Sequence, residues 1–167
     1  MAISMYEVCI PQTLAMLDNI SVLIEKATAH CTAKKIDPTV LVNYRLAPDM
    51  LPFSRQIQIM SDQVKGMGAR LAGVDVPSYA DTETTMDDLM ARIAKTKAFL
   101  QTLKPEQFAG SEDKQLTMKF GPREVSFEGL EYVRKSVFPN FYFHATTAYA
   151  ILRHAGVEIG KRDFLGW

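Results

Sequence analysis

Phe53, Ile57, Met60, Val64, Met67 and Leu71 recur at alternating steps of four and three residues, and Gly73 follows them. That spacing puts all six on one face of a helix of about five turns. A strand, whose side chains alternate at every second residue, does not fit it. The glycine is a residue type that commonly ends a helix. An apolar face of this length has to be buried, so the rest of the chain must supply elements that pack on it.

Three other stretches carry the same period. In residues 4–34, Ile10, Leu17, Ile24 and Cys31 repeat every seven with Thr13, Ile20 and Ala27 between them, and Pro11 sits near the start, where it is tolerated. Residues 84–103 place Met86, Leu89, Ile93, Leu100 and Leu103 on an inner face. Thr84 is suited to cap that helix, Asp87 and Asp88 suit its positive end, and Pro105 closes it. In the last stretch Phe141, Ala145, Ala148 and Leu152 form a stripe that Tyr142 and Tyr149 widen, with Arg153, His154 and Gly156 at its end. Leu130, Val133 and Val137 keep the same phase across Pro139, which predicts one kinked helix.

Between these helices the period changes. Residues 36–51 hold Pro38 and Pro48 among many apolar side chains, which predicts an ordered connection with one short helical turn near 38–43, packed across an end of the structure. Leu116, Met118 and Phe120, then Val125 and Phe127, alternate with polar residues around Gly121-Pro122-Arg123, as a β-hairpin does. Residues 157–167 lack a helical pattern but keep Phe164, Leu165 and Trp167. This tail is expected to fold back on the bundle and to contribute to a homodimer contact. The architecture is all-α, a single domain over residues 1–167 made of four helices, with the hairpin between the third and fourth.

Lys and Arg together balance Asp and Glu, giving a formal net charge of zero. Charge therefore offers no case for a nucleic-acid or anionic-membrane partner, and the basic residues near the closing aromatics, Arg153, Lys161 and Arg162, are few. No apolar run approaching a membrane span and no signal-peptide core stand out, so a cytoplasmic location is expected. Cys9 and Cys31 lie on one helix about 33 Å apart by helical rise, too far for a disulfide, and are expected to be free thiols.

Among residues that carry chemistry, His144 and His154 invite a metal reading. Ten positions on a helix separate them by about 15 Å along the axis and about 80° around it, so one ion cannot bind both. The position one turn after His144 is Ala148. For His144 three roles stay open: a hydrogen-bonded core histidine, a ligand, or an acid/base group. His30, near the end of the first helix, has the helix dipole as its ordinary role. Gln56, Ser61, Asp62 and Gln63 flank the apolar stripe of the second helix. A pocket between the second and fourth helices is expected, lined by Gln56, Asp62, Tyr142 and Tyr149, with His144 as its acid/base.

The stretches SMYEVCIPQTLAMLDNI, RLAPDMLPFSRQIQI and, above all, PNFYFHATTAYAILRHAGVEIGKRDFLG resemble a bacterial family of unknown function within the DinB/YfiT-like superfamily. The resemblance covers nearly the whole chain. It implies an up-down-down-up four-helix bundle, often dimeric, and in many members a divalent metal held by one histidine of the second helix and two of the fourth. Some members are thiol-dependent transferases or metal-dependent hydrolases. Here the second helix has no histidine and the fourth keeps His144 without a partner.

Three functions follow. The first is a small-molecule or degenerate-enzyme pocket between the second and fourth helices, without a cofactor. The second is a hydrolase or thiol transferase in which His144, joined by Asp62 or by carboxylate and water ligands, holds a divalent metal: zinc, manganese, magnesium or nickel. The third is a non-enzymatic, dimeric interaction or stress-related protein. His30, Cys31 and His154, near one end if the first and fourth helices are parallel, form an alternative metal site.

Overall fold

The helix α3 (Phe53–Ala72) is the element the others enclose: its apolar stripe from Phe53 to Leu71 is buried throughout, and so are Ser61, Lys65, Gly66 and Gly68 beside it. The structure, a computed structural model, describes residues 3–120 and 122–167, and at 119, 120 and 123 the backbone alone. Its other helices are α1 (Met5–Lys34), α2 (Pro38–Val42), α4 (Met86–Thr102), α5 (Gly129–Glu131), α6 (Phe138–His154) and α7 (Lys161–Leu165). Strands β1 (Gln115–Phe120) and β2 (Arg123–Glu128) form one antiparallel pair. The chain is mostly helical with this small sheet attached.

Helix α3 packs along α6 on one side and α4 on the other, and α1 closes the bundle against α4 and α6. Gln56 meets His144 and Arg70 meets Tyr132 between α3 and the last helix. Ser61 meets Arg92 between α3 and α4. Further along that contact, a Cβ added at Gly68 would lie 2.7 Å from Leu100 Cδ2 and 2.8 Å from Leu103 Cδ1. Glycine at this position lets the two helices approach closely. Asp18 pairs with Lys97 between α1 and α4, and Gln12 with Tyr142 between α1 and α6.

The ends of these helices follow from local chemistry. Ser4 and Glu7 form a capping box at the start of α1, and Gly73 ends α3 at a φ of 73°, a conformation glycine adopts without a Cβ penalty. Helix α4 is capped by Thr85 rather than Thr84, because Thr85 with Asp88 forms the reciprocal box. Ahead of α6, residues Tyr132–Val137 form a π turn, in which the Phe138 N–H bonds the Val133 carbonyl five residues back. Helical backbone thus runs continuously over 129–154, with Pro139 in the first turn of α6, where its missing N–H costs least.

Three expectations are corrected. The tail is not without helix: Lys161–Leu165 is α7, which lies on α1, with the Phe164 carbonyl accepting from Asn19 and Lys26 pairing with Asp163. The connection 36–51 packs only in part; Leu41 and Val42 are buried, whereas Val40, Leu46 and Leu51 are exposed. By length and composition α1 is long and apolar enough to cross a membrane, but Ile10, Leu17 and Ile24 point into the bundle core. The hairpin lies beside α3 and the π turn, with Leu116 and Met118 buried and Phe127 against Tyr132. Gly121 and the side chains of Phe120 and Arg123 lie outside the described residues.

Candidate functional site

His144 stands on the face of α6 turned to α3 and is buried. Its Nδ1 lies 2.7 Å from Gln56 Oε1, while Gln56 Nε2 donates to the Leu51 carbonyl at 2.8 Å. The Leu51 bond orients the amide so that its oxygen faces the imidazole, and this network assigns the proton to Nδ1. Burial pushes the His144 pKa down, which favours the neutral ring. Among the described residues only Ser111 Oγ is both closed to solvent and unpartnered, so His144 Nε2, which has no partner, keeps contact with solvent. The ring is thus a fixed, neutral base with one nitrogen available.

The remaining candidate residues are not gathered around it. Asp62 lies six positions beyond Gln56 on α3, about 9 Å along the axis and about 120° around it. There it pairs with Lys65 at 2.6 Å and Arg92 at 3.0 Å. Tyr142 donates from its hydroxyl to Gln12 Oε1, and Tyr149 packs edge-on against Phe164 of the tail. Gln56 and His144 are the pair brought together; Asp62, Tyr142 and Tyr149 each serve a different contact.

A three-histidine metal site does not fit this donor set. Helix α3 has no histidine, Gln56 holds His144 Nδ1, and Ala148 stands one turn beyond it. Among the described residues no three His, Cys, Asp or Glu side chains converge. His154 packs against Tyr44, and Cys31 is buried in the core. One neutral nitrogen is fewer ligands than zinc takes from a protein.

Two features escape the sequence reading. Arg92 lies on the inner face of α4, its side chain only 1% exposed, with Asp62 and Asp81 at 3.0 Å, Glu83 at 2.9 Å and Ser61 Oγ at 2.8 Å. Burial opposes its charge, but the Glu83 bond and the charges of Asp62, Glu83 and Asp81 prevail and raise its pKa. The signal was present, since Arg92 is in phase with Leu89 and Thr96 on α4.

The other feature is a groove of about 380 Å³ between α3, β1 and the π turn, lined by Asp62, Gln63, Arg70, Thr117, Tyr132 and Ser136. The size is that of a small-ligand site. No spacing rule places a hairpin beside a helix, so sequence alone does not bring these residues together.

The chain matches, over residues 5–165, the family described as a domain of unknown function, DUF1993. The chain belongs to the DUF1993 family. A solved structure supports a DinB-like relationship for this DUF1993 protein: the crystal structure of a DinB family member protein from Shewanella denitrificans is 40% identical. The alignment covers 97% of this chain and 92% of that one, with a TM-score of 0.91. No curated protein is significantly similar to this DUF1993 chain.

Proposed function

We propose that this protein is a metal-independent small-molecule-binding bundle whose ligand occupies the groove between α3, β1 and the π turn. The observation that carries the proposal is the groove itself, about 380 Å³ with polar side chains from three elements turned into it. One of its walls is a π turn, an irregularity that recurs at functional sites. Two of the expected pocket's features are kept: the position between the second and fourth helices, and Asp62 in the lining. His144 is assigned to holding α6 on α3 through Gln56.

Up-down-down-up connectivity is part of this proposal. The contacts 61–92 and 68–100 ascend together on α3 and α4, so these two run parallel. The contacts 56–144 and 70–132 run α3 against the last helix. Asp18 beside Lys97, with Thr28 and Met86 lining one cavity further along, runs α1 against α4.

A homodimer is also proposed, through the outer face of α6. Phe143, 57% exposed, borders a shallow apolar depression with Thr146, Thr147 and Ala150. Two antiparallel copies of this face would set each Phe143 over the partner's small Ala150, about 10 Å along the helix, as a two-fold contact requires. Phe143→Asp is expected to give monomers in sedimentation equilibrium, and removal of 164–167 to leave dimers. The opposite pattern would assign the interface to the tail.

The binding proposal is tested by screening a small-molecule library by thermal shift against wild type and Ser136→Trp, which fills the groove. Elemental mass spectrometry of untagged protein and His144→Ala accompanies the screen. Ligands that raise Tm in wild type but not in Ser136→Trp are expected, without stoichiometric metal. Ligands indifferent to Ser136→Trp would move the site elsewhere, and near-stoichiometric zinc, manganese or nickel lost in His144→Ala would restore the metalloenzyme reading.

A further inference from the structure

The polar groups that face the groove are mostly unused donors. Arg70 spends one N–H on the Tyr132 hydroxyl, at 3.0 Å, and makes no salt bridge among the described residues. Tyr132 accepts that bond, so its own O–H has no acceptor among the described residues. Neither Gln63 nor the Ser136 hydroxyl makes a side-chain hydrogen bond among the described residues. The acidic group in the lining, Asp62, is already opposed by Lys65 and Arg92. The nearby Lys114 ammonium is held on the Arg70 carbonyl at 2.9 Å. Among the described residues the groove therefore presents one uncompensated cation, Arg70, beside a free phenolic donor.

Gly66 makes this placement possible. The Arg70 guanidinium folds back along α3 over Gly66, and a Cβ there would collide with its Nη1. Below it the buried Tyr132 ring, whose centroid is 5.9 Å from Arg70 Cζ, supports the guanidinium. A planar guanidinium held beside a hydroxyl matches the planar, two-oxygen face of a carboxylate. A phosphate dianion would call for a second free cation, which the described lining lacks.

We propose that the groove recognises a small organic carboxylate, with Arg70 and the Tyr132 hydroxyl as its receptor. The proposal rests on the groove being the ligand site and adds the class of ligand. The test is titration of ¹⁵N-labelled full-length protein with sodium benzoate, its neutral isostere benzamide, and phenyl phosphate. The Arg70 Nε–H signal and the amides of Thr117, Tyr132 and Ser136 report binding. Benzoate is expected to shift these signals saturably, with benzamide and phenyl phosphate at least about tenfold weaker, a difference of about 1.4 kcal/mol.

Arg70→Gln should abolish the benzoate response. Gly66→Ala keeps the charge and favours the helix, and by displacing the guanidinium it should weaken the response several-fold. No saturable benzoate shift, or an undiminished response in Arg70→Gln, would overturn the proposal. Equal binding of benzamide would overturn the carboxylate assignment while leaving the groove as the ligand site, and tighter binding of phenyl phosphate would replace carboxylate by phosphate. A groove emptied of library ligands in wild type would sink the underlying reading separately.

Discussion

Arg92 stands where the phase of α4 calls for an apolar side chain, and the reason lies outside α4. The connection between α3 and α4 delivers Asp81 and Glu83 onto it, and α3 delivers Asp62. The pKa values of both connection carboxylates are lowered: burial opposes their charge, but the bonds and charge of their arginine partners outweigh it. Arg92→Met would leave these carboxylates facing one another. The expected loss is about 3 kcal/mol, at the low end for a broken buried pair because Asp62 and Asp81 are more than a third exposed. Calorimetry should register it as a Tm lower by about 10 °C; a change within about 2 °C would show that Arg92 and its three carboxylates do not stabilise the fold.

His144 yields a prediction of opposite origin. Its folded-state pKa is depressed, so the unfolded chain takes up a proton at a pH where the native ring stays neutral. Its contribution is therefore fully present above about pH 7 and falls as the pH drops through about 6.5 toward the folded value. Asp81 and Glu83 lose theirs only in the carboxylate range, below about pH 4.5, so the two windows separate. In urea titrations His144→Gln should flatten stability between about pH 7 and pH 5.5. A slope that persists in the variant would place its source in another group.

At the scale of elements, α3 approaches α4 closely at Gly68. Gly68→Val should push Leu100 and Leu103 off their positions and cost about 1–3 kcal/mol. Combined with Leu103→Ala, which vacates space there, it should cost less than the sum of the single changes. Strict additivity in that cycle would show that the helices are not in contact at this point. The short α7 is a different case. It is too short to be stable alone, and it forms where Tyr149, Asn19 and Lys26 wait for it. Removing residues 161–167 should lower stability by about 1 kcal/mol, because Phe164 is only half-buried, with unfolding still cooperative by circular dichroism. No loss at all would mean that the tail rests on α1 without stabilising it.

The whole molecule is one core without a cross-link. Cys9 and Cys31 are fully buried and free, and burial pushes the Cys9 thiol up to about 12 and also raises Cys31. A thiol reagent at neutral pH should therefore count no reactive cysteine in the native protein and two after unfolding. Rapid native labelling would contradict the packing of α1. The period of apolar residues by itself determined α1, α3, α4, the alternation of the hairpin and the continuity of the last helix across Pro139. Burial of one face is a local demand that each segment carries in its own spacing. The short α2 was likewise marked by Pro38.

Only the tertiary structure decided which polar side chains meet. Gln56 and His144 were separable from Asp62, Tyr142 and Tyr149 only once α6 was laid on α3. Arg92 found its three carboxylates, and Arg70 its phenol, through contacts between elements distant in the chain. A side chain beside an apolar stripe can turn to either neighbour at little cost to its own helix. Its partner is therefore chosen by packing, and packing is a property of the assembled bundle.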